Sequence, residues 1–478
     1  MKKILIYGVA MLMAAISTPA QSDDSFDTYM GLEMDTEALD KIPQKPQLVT
    51  RDYTLLPSRY SLMQYTPVPR SQGQYGTCTS WATTYAARTI CEAVNKGWLD
   101  RNIINREAFG PLFIYHLIRL DNNSTSCERG TYIDEALRTL IEKGAPKYSD
   151  FDDLCVSSIP SSIYTKAATH KLDDFWTIFN PNYSTERKIQ TTKKSLSQGH
   201  PVVICMQVPT SFCRSHGKDL WTKTESVIDG GWHAMCVIGY DDNKYGGAFQ
   251  IMNSWGTSWG NQGFIWVKYK DFADHVSHAY EPYLAKEVKP EPKPEPKPQP
   301  RNSFNGSMRF HLSTGQDMQP VRNNVGSMVG YKMNKPYISG TRYRIYLTNN
   351  EPAYVYVLGS DNTGAVSTVF PPDAKTSPAL VYSSNNIALP DEKWFIEMDN
   401  TTGTDHVCVL YSKQALPIAD IIKKIENAKF GTFDQKVRNA LGDKAAGNND
   451  IVWGVGQISF KGCSDATVVP VFVDITHN

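Results

Sequence analysis

The sequence predicts an α+β protein with two folded regions, and three observations support this. At 478 residues the chain is too long for one ordinary core. Small and apolar residues recur at helical spacing over residues 77–95, whereas residues 234–238 and 248–252 are short apolar runs typical of strands. A proline-rich stretch, residues 286–302, then leads into a C-terminal region with the β-branched and aromatic runs of a mainly β domain.

The first 20 residues have the pattern of a secretory signal peptide. Lys2 and Lys3 form a short basic region, residues 4–16 are largely apolar, and small residues end at Ala20, where cleavage is expected. A membrane anchor is the alternative, but the apolar run is too short to span a bilayer. We therefore expect residues 1–20 to be removed and the protein to be exported, to the periplasm or the extracellular space.

The charge balance excludes two classes of partner. Lys plus Arg and Asp plus Glu both number 49, so the net charge is about zero. Such a chain offers no broad electrostatic attraction for nucleic acid or anionic lipid. No later apolar run is long enough to cross a bilayer, so stable membrane insertion is not expected.

Export allows disulfides, and the cysteine count constrains them. Nine cysteines is an odd number, so one thiol is left if the rest pair, and Cys78 is the obvious one. Cys127 and Cys155 are one candidate pair, and Cys408 and Cys463 are another. Sequence does not give connectivity, and the other four cysteines are equally compatible with buried packing.

Composition divides the rest of the chain into four segments. The polar residues 21–55 are interpreted as a loosely ordered leader or strap, and residues 56–285 as the first compact domain. Residues 286–302 alternate proline with charged residues, which favours an extended spacer without a core. Residues 303–478 are interpreted as a β-rich accessory domain.

Within the accessory domain we expect strands at residues 342–347, 354–358 and 468–473. Pro470 in the last run suggests an edge position, because proline has no N–H for the ladder. One helix is expected at about residues 418–428, where isoleucines recur on one face.

Cys78 has the features of an activated nucleophile. It stands in the first turn of the helix predicted from residue 77, where free N–H groups and the helix dipole favour a thiolate. Gln72 lies six positions earlier in a glycine-flanked turn. Its amide and the Cys78 N–H would together form an oxyanion hole.

His233 and Asn253 supply a base and the group that orients it. His233 precedes one strand-like run and Asn253 ends the next, so two adjacent strands would bring the side chains together. Trp255 and Trp259 follow directly, and an indole over this pair would exclude water from the hydrogen bond.

Each of these residues alone has an ordinary structural explanation, because a buried cysteine usually packs and a buried histidine is usually a satisfied polar residue. The set of four is more specific. A thiol, an imidazole, an orienting amide and a second amide are the parts that acyl transfer through a thioester requires. This chemistry needs no metal and no organic cofactor.

Residues 56–285 resemble the papain family of cysteine peptidases, most closely in its bacterial form. Residues 71–81, 231–240 and 247–256 carry the resemblance. It implies a two-lobed domain, with a helical left lobe, a β-barrel-like right lobe and the substrate in the cleft between them.

The resemblance also assigns roles to individual residues. It implies that Cys78 is the nucleophile, His233 the acid and base, Asn253 the orienting amide and Gln72 the oxyanion donor.

The same resemblance places Gly130, Trp232, Ala234 and Trp255 along the substrate path. Residues 127–137 are similar to the family's stretch that lines the substrate backbone, so Gly130 is expected to offer backbone hydrogen bonds to an extended peptide.

The chain departs from the family signature around the nucleophile. Tyr75 stands where the family has a cysteine, so that disulfide cannot form. Thr77 replaces the small residue before Cys78, and Thr79 replaces the aromatic residue after it. Whether residues 21–55 inhibit the enzyme stays open.

The interpretation of the whole chain is an exported cysteine endopeptidase that acts on peptides or proteins through an acyl-enzyme on Cys78. Two alternatives are a transpeptidase or cell-wall peptide amidase with the same triad, and a catalytically silent binding protein. Residues 303–478 weakly resemble a bacterial β-rich module of unknown function. They either dock a substrate or protein partner or tether the enzyme to an envelope surface.

Overall fold

The computed structural model describes residues 30–120, 127–225, 230–285, 301–325, 328–361 and 363–478. The expected signal peptide, the first part of the leader and most of the proline-rich spacer lie outside these residues. None of the described helices is long and apolar enough to cross a membrane.

The fold is α+β, as predicted, with short helices and many strands. The helices are α1 (Thr36–Leu39), α2 (Thr50–Thr54), α3 (Cys78–Ser80), α4 (Thr89–Lys96), α5 (Arg101–Arg106), α6 (Pro111–Ile118), α7 (Ile133–Glu142), α8 (Ser161–Ala167), α9 (Thr185–Ser197), α10 (Thr210–Cys213), α11 (Tyr269–His275), α12 (Ile418–Asn427) and α13 (Phe433–Leu441). The strands are β1 (Arg59–Ser61), β2 (Asp174–Phe179), β3 (Val202–Gln207), β4 (Leu220–Trp221), β5 (Trp232–Asp241), β6 (Ala248–Met252), β7 (Phe264–Lys268), β8 (Val276–Tyr283), β9 (Asn302–Leu312), β10 (Pro320–Val325), β11 (Met328–Met333), β12 (Arg342–Asn349), β13 (Ala353–Ser360), β14 (Val366–Phe370), β15 (Ala379–Leu380), β16 (Asn385–Leu389), β17 (Ile396–Glu397), β18 (Gly403–Ser412), β19 (Ile451–Trp453), β20 (Ile458–Ser464) and β21 (Val468–His477).

Residues 56–285, called the N-terminal unit below, contain one eight-stranded sheet. Its order is β2-β8-β3-β5-β6-β7-β4, and β1 pairs with β5. All neighbours are antiparallel except β4 and β7. β3 and β5 are buried along nearly their whole length, because their uninterrupted apolar runs are covered on both faces.

Residues 78–96 form one continuous buried helix that packs against β5. α3 runs into π-helical turns over Trp81–Arg88 and then into α4. Every residue of the π-helical part is buried, and small side chains there let the helix approach the sheet closely. Gly97 ends the helix with φ of 67°, in the left-handed region that glycine adopts without strain.

Residues 301–478, called the C-terminal unit below, form a sandwich of two sheets. The seven-stranded sheet has the order β10-β11-β21-β18-β13-β14 with β15 on β13, and the six-stranded sheet has the order β16-β12-β9-β20-β19 with β17 on β12. Apolar residues from both sheets share one core. The three predicted strands correspond to β12, β13 and β21, and the predicted helix to α12.

Strand β18 shows how the sandwich receives an outer helical layer. Val407 and Val409 face the core between the sheets, whereas Cys408 and Leu410 face α12 and α13. Pro470 does not lie on an edge strand, because β21 has β18 on one side and β11 on the other. β11 pairs with β21 only beyond Pro470, so the ladder on that side needs no N–H from it.

Residues 30–53, called the strap below, join the two units. Leu32, Leu39 and Ile42 are buried in the core of the N-terminal unit. Leu48 and Tyr53 are buried in the core of the C-terminal unit. This part of the leader is therefore packed into both units rather than loosely ordered.

The disulfide predictions are half right. Cys127 and Cys155 are bonded, with their Cα atoms 5.7 Å apart. The expected pair of Cys408 and Cys463 is wrong, because Cys408 is buried under the outer helices whereas Cys463 is exposed on the other sheet. The other seven cysteines of the chain, all among the described residues, are therefore outside a disulfide.

Alkylation of the denatured, unreduced protein should reflect this count. We expect iodoacetamide to modify seven cysteines, because only Cys127 and Cys155 are protected by their bond. Peptide mass mapping measures the count. Five modified cysteines, with Cys408 and Cys463 in one cross-linked peptide, would contradict the structure.

Candidate active site

Cys78 is the first residue of the buried helix, as predicted. Its side chain is fully buried, next to a turn that ends with Gly76 and Thr77. The Gly76 N–H donates to Cys127 O (3.2 Å), so the disulfide-bonded segment supports this turn. The helix start and the covalently held loop together fix where the thiol lies.

His233 and Asn253 are brought together by neighbouring strands. His233 lies on β5, Asn253 directly follows β6, and the two strands are paired. The distance from His233 Nε2 to Asn253 Oδ1 is 2.8 Å. Since an amide oxygen can only accept, Nε2 carries the proton and Nδ1 is left as the basic nitrogen.

Trp255 shields this hydrogen bond. Its indole stacks on the His233 ring, with centroids 4.5 Å apart and planes 22° apart. Trp259 contacts Trp255 edge-on, with ring centroids 5.2 Å apart, and both indoles are buried. The stack keeps water away from the imidazole and strengthens its bond to Asn253.

Gln72 makes three hydrogen bonds, two to Ser254 and one to the turn before Cys78. Its backbone N–H donates to Ser254 O (2.8 Å), and its Oε1 accepts from the Ser254 hydroxyl (2.6 Å). Its Nε2 donates to Tyr75 O at 2.8 Å, in the turn that leads to Cys78. Asn253 Oδ1 also accepts from the Ser254 N–H (2.7 Å). Ser254 thus links the two amides of the predicted set.

The start of the strap covers Cys78. The Thr131 N–H donates to Gly31 O (2.9 Å), and the Glu33 N–H donates to Thr131 O (3.1 Å), which makes a parallel bridge between Leu32 and Thr131. The Thr79 hydroxyl, one residue after the nucleophile, lies 3.3 Å from Gly31 O. The cleft edge expected to bind a substrate backbone therefore pairs with the protein's own chain.

Three glycines make this contact possible. A Cβ on Gly31 would lie 2.1 Å from the carbonyl carbon of Gly76, and a Cβ on Gly130 would lie 2.6 Å from Gly31 O. Backbone thus packs directly on backbone at the site. Any side chain at position 31 must push the strap out of the cleft.

Burial sets the protonation of the pair. It raises the pKa of Cys78 to about 11, against backbone hydrogen bonds from Ala234 and Gly31 that lower it. It lowers the pKa of His233 to about 4, against the hydrogen bond with Asn253 that raises it. The closed cleft therefore holds a neutral thiol and a neutral imidazole, not the thiolate that the helix N-terminus alone predicts.

The four predicted substrate-binding residues lie at different depths. Gly130 lies under Gly31, and the Ala234 backbone contacts the thiol. Trp232 is half-buried. It follows Gly231, where an added Cβ would lie 2.8 Å from Met30 Sδ. Trp255 is buried against the imidazole, so its contact in this structure is with His233.

Sequence reasoning missed Ser254 and the contact of Gly31 with the site. Ser254 stands between Asn253 and Trp255, so its position in the motif was a usable signal. Gly31 lies in a polar stretch about 45 positions from the nucleophile, and no local pattern connects the two.

Two family models match parts of the chain, one in each unit. Residues 63–282 match the family model described as papain family cysteine protease. Residues 336–415 match a model described as a domain of unknown function, DUF4384. The expected resemblance of the C-terminal region to a β-rich module of unknown function is thereby confirmed.

Two curated proteins match part of the chain. An uncharacterized peptidase C1-like protein of Acanthamoeba polyphaga mimivirus is 29% identical over 230 residues, which cover 45% of this chain and 69% of that protein. Cysteine proteinase 3 of Entamoeba histolytica is 24% identical over 201 residues, which cover 41% of this chain and 58% of that protein.

Solved structures also resemble part of the chain. Xylellain, a cysteine protease from Xylella fastidiosa, has a TM-score of 0.43 and 20% identity, covering 54% of this chain and 96% of its own. Digestive procathepsin L2 from the Tenebrio molitor larval midgut has a TM-score of 0.41 and 16% identity, covering 53% and 78%.

Opening the cleft should change the protonation of His233. In a Cys78→Ser background, which removes the thiol, we expect an NMR titration to give His233 a pKa below 5. Gly31→Val should raise the pKa toward the ordinary value of about 6.5, because the displaced strap lets water reach the imidazole.

The closed form should lose stability relative to the open form as the pH falls, because the two forms differ in the pKa of His233. Because the closed form has the lower pKa, its stability is complete above about pH 6.5 and falls by up to ~10-fold per pH unit toward pH 4. Gly447→Val, at an exposed glycine with room for a Cβ, is the control and should leave the titration unchanged. A His233 pKa of about 6.5 in the Cys78→Ser protein that keeps Gly31 would contradict the closed site.

Proposed function

We propose that this chain, whose residues 63–282 form a papain-family cysteine protease domain, is an exported endopeptidase that cleaves peptide bonds through a thioester on Cys78. The observation that carries the proposal is the His233 Nε2–Asn253 Oδ1 hydrogen bond of 2.8 Å, placed by β5 and β6 beside a cysteine at a helix start. Its substrates are peptides or proteins.

Acylation starts from the neutral pair. His233 Nδ1, which has no hydrogen-bond partner among the described residues, takes the proton from the Cys78 thiol. The sulfur then attacks the scissile carbonyl carbon, and the carbonyl electrons move onto oxygen. The Nδ1 proton passes to the leaving nitrogen, the C–N bond breaks, and a thioester remains on Cys78.

Deacylation uses the same nitrogen. Nδ1 removes a proton from water, and the resulting hydroxide attacks the thioester carbon. The C–S bond then breaks, and the Cys78 thiolate leaves and takes the proton back from Nδ1. Throughout, Asn253 Oδ1 holds the Nε2 proton, so the imidazole returns to the same tautomer.

The oxyanion is stabilised by two donors. The Cys78 N–H belongs to the first helical turn, where N–H groups have no partner within the helix. Gln72 Nε2 is the second donor, and its position is fixed because Ser254 holds the other end of the amide. Preorganised donors of this kind contribute strongly, since they need no reorientation as charge develops.

The substrate lies along the edge that the strap now occupies. Thr131 offers an N–H and a carbonyl to an extended chain, and Gly130 and Gly76 leave room for a backbone to approach. An extended peptide with its scissile carbonyl over Cys78 fits this edge once residues 30–33 leave it.

Export is supported by two features of the chain. Residues 1–20 have the basic and apolar pattern of a signal peptide. The bond between Cys127 and Cys155 is of a kind that persists in oxidising compartments. Both are compatible with a periplasmic or extracellular enzyme.

Substitutions in the open background, Gly31→Val, test the assignments. Cys78→Ala should abolish cleavage of a peptide substrate, and Gln72→Ala should lower kcat/KM by roughly 100-fold, because one oxyanion donor is lost. Cys463→Ala is the matched control, since its thiol is free but exposed and far from the site. Full activity in Cys78→Ala would sink the assignment of the nucleophile.

Product analysis distinguishes hydrolysis from acyl transfer to an amine. With a peptide substrate and added glycinamide, we expect mainly free carboxylate products, because water is the proposed acceptor. Mass spectrometry of the products measures the ratio. A predominance of amide products would identify the enzyme as a transpeptidase that uses the same residues.

A further inference from the structure

We propose that the C-terminal unit keeps the protease latent by anchoring the strap, so that residues 30–33 stay over Cys78 until the anchor is released. This rests on the proposed function, since latency has meaning only for an active site. It assigns a regulatory role to the sandwich: whatever loosens the strap from it opens the cleft.

The cleft contact alone is small. Two backbone hydrogen bonds between the strap and Thr131, and one contact from Thr79, hold residues 30–33 over the nucleophile. A hydrogen bond multiplies an equilibrium constant by only roughly 2- to 10-fold in water. Leu32, Leu39 and Ile42, which are buried in the core of the N-terminal unit, add apolar contacts to these bonds. The C-terminal unit supplies a second attachment.

The second attachment is a set of backbone pairings to the C-terminal unit. The Gln44 N–H donates to Lys375 O (2.5 Å), and the Ser377 N–H donates to Gln44 O (2.8 Å). The Val49 N–H donates to Asn386 O (2.8 Å), which lies on β16. The strap therefore adds to the surface of the sandwich as an extra extended segment.

Side chains strengthen the same attachment. Asp52 accepts from the backbone N–H and the side-chain amide of Asn386, at 2.8 and 2.9 Å. Thr50 donates to Glu392 from its N–H (2.9 Å) and its hydroxyl (2.5 Å). Tyr53 is buried among residues of the sandwich core. This end of the strap is thus held to the C-terminal unit by backbone pairing, side-chain hydrogen bonds and apolar burial.

A buried ion pair joins all three parts. Lys45 of the strap lies 2.7 Å from both carboxylate oxygens of Glu281, which is fully buried at the end of β8. The Tyr382 hydroxyl of the C-terminal unit donates to the same carboxylate. Removing either partner would leave the Glu281 charge buried and less compensated. The contact therefore favours the arrangement in which the strap and both units are assembled.

Anchoring closes the cleft through effective concentration. With residues 44–53 fixed, residues 30–33 are confined near Cys78 by about ten intervening residues, of which α1 forms part. Release of the anchor leaves residues 30–33 held only by their own contacts and by Leu39, Ile42 and Lys45 in the N-terminal unit, so they leave the cleft more often. A partner that competes for the strap's site on the sandwich would thus act as an activator.

The test compares labelling of Cys78 by an epoxysuccinyl probe in full-length variants. The anchor variant, Thr50→Ala with Asp52→Ala, loses the strap's side-chain bonds to Glu392 and Asn386. Its labelling rate is expected to rise about 10-fold or more, and deuterium exchange of the Thr131 amide should accelerate with it. Lys41→Ala, whose side chain pairs with the exposed Glu37 of the strap, is the matched control and should change neither.

Gly31→Val sets the labelling rate for an open cleft. Asn386→Ala weakens the anchor from the other unit, because it removes the side-chain amide that donates to Asp52. Labelling that rises in both anchor variants supports the proposal, and agreement between them excludes a folding defect in one. If Gly31→Val labels fast while both anchor variants label as slowly as the unsubstituted chain, the C-terminal unit does not hold the strap. If Cys78 is not labelled even in Gly31→Val, the proposed function fails, and this proposal with it.

Discussion

The pairing of β5 with β6 is the constraint on which the rest of the site depends. It sets His233 against Asn253, and the loop that follows β6 then supplies Ser254 and Trp255. Because β5 also packs on the buried helix, the same strand places the imidazole near the first residue of that helix. A nucleophile from a helix and a base from a sheet can meet reproducibly only if both elements are buried and rigid. The uninterrupted apolar run of β5 provides that burial.

Burial of the catalytic pair disfavours its charged form. Desolvation raises the pKa of Cys78 and lowers that of His233, so the charged pair suited to attack is disfavoured while the strap is in place. Water that reaches the cleft when the strap leaves is expected to move both pKa values back toward their ordinary values. Covering the site therefore blocks the substrate and also keeps Cys78 as a neutral thiol rather than the thiolate that attacks. The strap pairs with Thr131 in the parallel direction, and its contact with the cleft is made by backbone around Gly31.

The part of the site that could be predicted from sequence is the part encoded locally. Cys78, His233 and Asn253 each stand at the boundary of an element with a clear period, so their meeting follows from helix start and strand adjacency. The bond between Cys127 and Cys155 was one of two candidate pairs. Cys408 and Cys463 looked equivalent, yet alternation along β18 directs Cys408 to the outer layer.

What could not be predicted depends on long-range packing. The strap is polar and weakly periodic, and its anchors Leu48 and Tyr53 are single apolar residues without a pattern. Its role emerges only when the chain after the spacer folds back against it. The neutral state of Cys78 was missed for the same reason, because the helix dipole is a local property whereas desolvation depends on what covers the thiol.

The central claim is that Cys78 forms an acyl-enzyme in a cleft that the strap can close. The most direct measurement mixes the Gly31→Val protein with an activated ester substrate, quenches in acid within a single turnover and locates the adduct by peptide mass spectrometry. One acyl group is expected on the peptide that contains Cys78, with slower accumulation in the unsubstituted chain. An adduct on any other residue, or equal accumulation in both proteins, would contradict it.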